Sequence, residues 1–438
     1  MTRYSWLHSL RFWFTGQARR PDRRSAPLHL EGLEDRTVPA QFLVTSYLDD
    51  GSAGTLRWAI DQANASVGVA DEIVFTPQTG GLNSISLTGG ELNISNDLTI
   101  VGQGARHLAV DGHVAVNGSS YFIQVFHIHP GVTASISDLT IKNGSAGGGK
   151  GGGILNEGTL TVSDCIFTDN RAYFGTGTSG GAIYNSGTLT VRTSDFTGNN
   201  ALANSGGYGG AIYNAGTATV LDSTFIGNYA HSNNSFAAGG AIYNAGTMAV
   251  ISSTLSANYA QTGDANSGYR SGGAIYNAGS LAIRNSTVAG NYVSYSGTRG
   301  AGGGIHNVGA LAIGNTIVAL NLAPGGTGPD FFGAVTSIGH NLVGDGSGSS
   351  GFGMAGDQVG TAASPIDPML APLDYYYYGF SLIAGSKRTM SLLAGSPALD
   401  AGSNALAVDS FGKLLTTDQR GLQRVVNGIV DIGAVECQ

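Results

Sequence analysis

Charge is scarce in this sequence. Only 11% of its 438 residues are Asp, Glu, Lys or Arg, against roughly 25% in an ordinary soluble domain. Lysine occurs four times, and seven of the arginines fall within residues 1–40, so the body is more acidic than the overall net charge of −8 suggests. Such a body is a poor partner for nucleic acid or an anionic membrane surface, and neither is expected. Cysteine is nearly absent as well. Cys165 and Cys437 are too few for a disulfide framework, and both are expected as free thiols, Cys165 as a small core residue. No run of 18 apolar residues exists, which excludes a transmembrane helix. There is no phosphate loop, no Gly-x-Ser-x-Gly elbow and no EF-hand loop, so no cofactor or metal is expected.

What the chain has is glycine, 70 residues of it, and an unusual amount of repetition. GGAIYNAGT stands at 209–217 and again at 239–247, with GGAIYNSGT at 180–188 and GGAIYNAGS at 272–280. Aligned on isoleucine, six units begin at Ile154, Ile183, Ile212, Ile242, Ile275 and Ile305. Each places an Asn two residues on (Asn156 to Asn307) and a second Asn fourteen residues later (Asn170 to Asn321). The segment before the next Gly-Gly varies in length. A constant core with one tolerant corner predicts a solenoid coil carrying a surface loop.

Within the unit the period is two. Ile242, Asn244, Met248, Val250, Leu255 and Asn258 are the inward candidates. Short alternating runs separated by Gly and Asn predict three short strands per coil. Stacked coil on coil, these make an all-β, single-stranded parallel β-helix of about eight to ten coils, right-handed by the general crossover preference. Gly-Gly is read as a turn needing positive φ or close backbone approach, and the Asn columns as amide ladders.

These GGAI and Asn-terminated units resemble the repeats of chlamydial polymorphic outer-membrane proteins and of right-handed β-helix proteins with a pectin-lyase-like fold. The segment GTLRWAIDQANA at 54–65 places Leu56, Ala59, Ile60 and Ala63 on one helical face. It resembles the element that opens many bacterial β-helix proteins, which implies a helical N-terminal cap. LEGLEDRTVPA at 30–40 resembles a sorting element of exported planctomycete proteins. GSPALDAGS at 395–403 and TDQRGLQRVVNGIVDIGAVE at 417–436 resemble the choice-of-anchor Q domain, whose members are secreted or surface proteins. Two departures stand out: a tyrosine-rich segment at 375–390 where that family usually carries Gly and Pro, and the end of the sequence at Gln438 with no anchor following, where members are often joined to varied C-terminal anchors. The expected organisation is a targeting segment (1–40), an N-terminal cap (41–90), a β-helix (91–345) and a choice-of-anchor Q-like region (346–438).

Three groups of side chains are candidates for chemistry. Asp164, Asp195 and Asp222, with Asp169 nearby, fall near one column and are read either as turn and surface residues or as the carboxylates of a site. His127 and His129 alternate on one strand and are read as structural rather than metal-binding. Tyr184, Tyr213, Tyr243 and Tyr276 share a column of opposite parity to the isoleucines and should form an outward ladder, a candidate binding platform or a row packed beneath the loops. The loops add Tyr173, Tyr208, Tyr229, Tyr269 and Tyr295. The expectation is an exported surface or extracellular protein without catalysis, contacting polysaccharide or an envelope or matrix protein, its oligomeric state left open. The alternative is a polysaccharide lyase or glycoside hydrolase built on the same fold.

Overall fold

The computed structural model describes residues 39–438 apart from 67, 78–80, 117–118, 148, 174, 264–268, 295–299 and 376–387. Residues 1–38 of the expected targeting segment, most of the tyrosine-rich 375–390 and Tyr295 therefore lie outside the described residues. The chain is an all-β parallel solenoid of the right-handed type, about ten turns long, with almost no helix among the described residues. Each central coil runs through a strand such as Ile183–Asn185, then Thr188–Arg192, then Asp195–Thr197. Among the described residues the equivalents stack into sheets of ten, eleven and eleven strands, called here the third, first and second sheet. Parallel pairing runs from Gln41–Val44 to Gln358–Val359, on both sides of the 91–345 span.

The registers are in phase with the repeat. Ile183, Tyr184 and Asn185 pair with Ile212, Tyr213 and Asn214, which pair with Ile242, Tyr243 and Asn244. The bore is filled by the isoleucine column, by Leu189, Val191, Met248 and Val250 from the first sheet, and by Phe167, Phe196 and Phe225 from the second, all buried. The three phenylalanines stack with centroids 4.6 Å apart. Cys165 joins this wall, and its burial pushes the thiol up to about 12, keeping it protonated.

Both asparagine columns are buried ladders. Asn156, Asn185, Asn214, Asn244 and Asn277 each donate Nδ2 to the Oδ1 of the next, at 2.6–2.8 Å. Asn170 through Asn291 do the same at 2.9–3.0 Å. This second ladder ends on Asp330, whose Oδ1 accepts both Asn321 N and Nδ2. Gly209 has φ +62, a conformation open to glycine, and a Cβ on Gly210 would sit 2.2 Å from the carbonyl oxygen of Gly240 in the next coil. The recurring Gly-Gly therefore answers two separate demands.

Two findings go beyond the sequence reading. Among the described residues the variable segments stack into two further parallel sheets, one of six strands including Asn200–Ala203 and Tyr229–Ser232, the other of five including Ser205–Tyr208. Small side chains make this possible, with Ala172, Ala201, Ala230 and Ala260 buried in register. The Gly-rich stretch 344–357, read as a flexible turn, is likewise tied down. Asp357 accepts from Gly353 N, Met354 N, Ser337 Oγ and Asn341 N.

The first coil is closed by helix α1 (Leu56–Ala65), capped by Thr55 Oγ1, which accepts Trp58 N at 3.3 Å. Its buried face is Leu56, Ala59, Ile60 and Ala63. Arg57 forms a forked ion pair with Asp49 (2.9 and 3.0 Å) and also donates to the carbonyl oxygens of Gly90 and Glu91. Asn64 clamps the neighbouring strand through Asn93 O and Ser95 N. The residues of the opening element thus cover and fasten a sheet end that would otherwise be free to pair.

Candidate functional site

Alternation decides which residues face out on the third sheet. In each Ile-Tyr-Asn strand, Ile and Asn enter the bore and Tyr is left on the outer face. Tyr184, Tyr213, Tyr243 and Tyr276 stack with centroids 5.1, 5.0 and 4.9 Å apart and ring planes within 20°. His306 and Phe332 continue the column at 5.1 and 4.9 Å, and Lys150 Nζ lies 4.8 Å from the Tyr184 ring centre at the other end. One side of the column is walled by the excursion sheets. Tyr208 packs at 5.1 Å on Tyr243, and Phe236 at 5.4 Å on Tyr276. The other side is an exposed corner of Ser186, Ala215, Ala245, Ala278 and Val308.

The tyrosines are therefore half-buried, between the two outcomes expected for them. Their hydroxyls make no hydrogen bond among the described residues and are not buried, so they meet solvent. Burial raises the phenol pKa of Tyr213, Tyr243 and Tyr276 above the ordinary value, keeping them neutral donors and acceptors. Stacking also has a chemical consequence. Ring faces spent on neighbouring rings are not open to a ligand, so the stripe offers edges and a comb of hydroxyls, one per coil. Burial pushes His306 down to about 4, leaving it uncharged at neutral pH.

A second ladder went unrecognised in the sequence. Tyr229, Tyr259 and Tyr292 stack at 4.3 and 5.0 Å on the six-stranded excursion sheet. The signal was present: each directly follows a ladder asparagine, Asn228, Asn258 or Asn291.

The acidic candidates do not form one column. Asp164 and Asp222 occupy the left-handed turn between the first and second sheets (φ +53 and +49), where Thr193 stands between them. Asp195 belongs to the adjacent strand column, paired with Ile166 and Thr224. Asp169 sits at a different turn, φ +56. Short polar side chains tolerate that conformation, which accounts for the choice of residue. His127 and His129 stack at 4.2 Å; His127 Nε2 meets Glu157 Oε2 at 2.8 Å and His129 Nε2 meets Asn93 Oδ1 at 3.1 Å. Lys142 pairs with Asp111 at 3.2 Å. Among the described residues no group of three or more His, Cys, Asp or Glu is placed to hold a metal ion, and no helix is long and apolar enough to cross a membrane.

The C-terminal segment folds back over the outer face of the second sheet. Leu392, Ala398 and Ile432 pack on Ile317, Ala319 and Leu342. Gln419 bonds Ser223 O, Thr224 Oγ1 and Thr254 Oγ1. Buried Arg424 donates through Nη2 to Asn285 Oδ1 of the solenoid and, within the segment, to Asp431 O and Gly433 O, while its Nη1 lies 4.0 Å from Glu436 Oε2. Burial pushes Glu436 up to about 7 and raises Asp431.

No protein-family model and no curated protein matches the chain. Among solved structures it is similar to the 1.7 Å crystal structure of Jun a 1, the major allergen from cedar pollen, over 79% of this chain and 85% of that one. Identity is 12% and the TM-score 0.24, a likeness that carries no argument about this chain.

Proposed function

We propose that this chain is an exported surface or extracellular protein whose solenoid is a rigid, non-catalytic scaffold. Its contact surface is the stripe of Tyr184, Tyr213, Tyr243 and Tyr276, and its partner a linear polysaccharide or an envelope or matrix protein. The observation that carries the reading is the column of stacked tyrosine rings, one per coil with centroids about 5 Å apart, whose hydroxyls make no hydrogen bond among the described residues. A chain of hydroxyl-rich units running along the axis would meet one hydroxyl per coil, and the contacts would add by multivalency rather than by depth. Export is supported by the sequence element at 30–40 and the resemblance at 395–436. The scattered placement of Asp164, Asp169 and Asp195 supports a non-catalytic role, because hydrolysis or elimination requires converging groups.

The test is retention of the full chain on uronate and neutral polysaccharides, with and without Ca²⁺, for the parent and for Tyr213→Ser/Tyr243→Ser. Binding that falls at least tenfold in the variant, with a cooperative melt preserved, supports the stripe. Equal retention of both proteins removes it as the contact surface. Reproducible chain cleavage that disappears in Asp164→Ala would replace the proposal with the enzymatic alternative.

A further inference from the structure

We infer that the two tyrosine ladders are sites of oxidative cross-linking, at which hydrogen peroxide acting through a haem peroxidase joins neighbouring coils as dityrosine. The inference is independent of what the stripe binds. In-register parallel pairing holds Tyr213 between Tyr184 and Tyr243 at 5.1 and 5.0 Å with planes within 9°, and Tyr259 between Tyr229 and Tyr292 at 4.3 and 5.0 Å. The hydroxyls of the first ladder reach water and make no hydrogen bond among the described residues, so a phenol there can release its proton as it loses an electron. Tyr292 is 37% exposed and gives the second ladder an entry point.

The chemistry balances. Two phenols each lose one electron and one proton, and the peroxide takes up both pairs and leaves as two waters. The two radicals combine through a bond between ortho ring carbons, and the ring hydrogens displaced there move to the oxygens, restoring both phenols. The difficult step is the meeting of two short-lived radicals. Here the fold supplies the second ring already adjacent, which replaces a bimolecular encounter by an intramolecular one. Successive ladder positions lie 29, 30 and 33 residues apart in the chain, the spacing of the asparagines beside them. Each bond therefore closes a long loop in the unfolded chain and staples two coils in the folded one.

Accessibility alone makes a different forecast. Tyr269 is 57% exposed and belongs to neither ladder, so it should react first if exposure governs. The experiment treats dilute full-length chain with a haem peroxidase and peroxide, then maps peptides joined with the loss of two hydrogens. The expected result is a monomer carrying links within Tyr184–Tyr213–Tyr243–Tyr276 and Tyr229–Tyr259–Tyr292, with a raised melting temperature. Tyr213→Phe/Tyr243→Phe, which keeps the stacked rings, should lose the first set and retain Tyr229–Tyr259. Links centred on Tyr269 or on Tyr375–Tyr378, intermolecular dimers, the same pattern in urea-unfolded chain, or no links at all would each overturn the inference.

Discussion

The repeat and the C-terminal cover bury polar groups in opposite ways. In the repeat, a buried amide is met by its own copies and by backbone carbonyls that recur in every coil. Asn214 donates to Asn244 and accepts from Asn185, and the same bond closes at every coil without any new arrangement. The cover has no copy to pair with. It assembles a unique set around Arg424, and even so the Nε and Nη1 of that residue make no hydrogen bond among the described residues. Translation symmetry makes polar burial cheap, whereas an irregular segment must match donors and acceptors one by one.

This contrast can be broken at several points. Gly210→Ala should have the largest effect, because its Cβ would collide with Gly240 O at 2.2 Å and Tyr229 N at 2.3 Å, both backbone. A loss of more than about 4 kcal/mol is expected, seen as failure to fold or a collapsed urea midpoint. Arg424→Ala should cost about 3–5 kcal/mol by leaving Asn285 Oδ1 and the carbonyls of Asp431 and Gly433 without their donor and Glu436 without its nearby cation, with the damage centred on the cover. Hydrogen exchange should rise across residues 388–438 while amides beside the asparagine ladders stay protected, and equal loss in both regions would deny the cover its separate character.

Asn214→Ala comes next, at about 2–4 kcal/mol, since it strands a donor below and an acceptor above, each worth about 1–3 kcal/mol when buried. Its damage should spread along the coils, to Asn185 and Asn244, and leave the Arg424 cluster protected. The smallest effect is with pH. Glu436, ordinarily near 4.5, is raised to about 7 in the folded chain, so the native state holds that proton more tightly than the unfolded one. Its contribution to stability is complete below the ordinary value and is lost as pH rises through about 7. Asp431 is shifted in the same direction. Exchange within 418–438 should therefore quicken between about pH 5 and pH 8, and Glu436→Gln should flatten that dependence. An unchanged slope in the variant would place the titration elsewhere.

Particular residues show how much was legible. The parity of Ile242 and Asn244, the fourteen-residue asparagine spacing, the helix at 56–65 and the Gly-Gly turns all appear in the structure where the sequence pattern put them. The stacking of Tyr184 to Tyr276 was legible too, but its exposure was not. That depended on the excursions, whose lengths vary and whose order as sheets comes from buried alanines with no distinctive local signature. The acidic column dissolved for a related reason. A shift of two residues between Thr193 and Asp195 separates a turn from a strand, and composition does not register it.

By itself the sequence determined everything that one coil dictates to the next. A residue facing inward in one unit faces inward in all, and its neighbour in space is its own equivalent about thirty residues away, so the pattern states both the fold and its contacts. Tertiary structure alone decided what lies across the coils. Asn285 meets Leu406 across 121 residues and Gln419 meets Ser223 across 196, between segments that share no period. A contact between unlike partners leaves no repeating trace in either, which is why the cover, its charged cluster and the walls of the tyrosine stripe emerged only once the chain was folded.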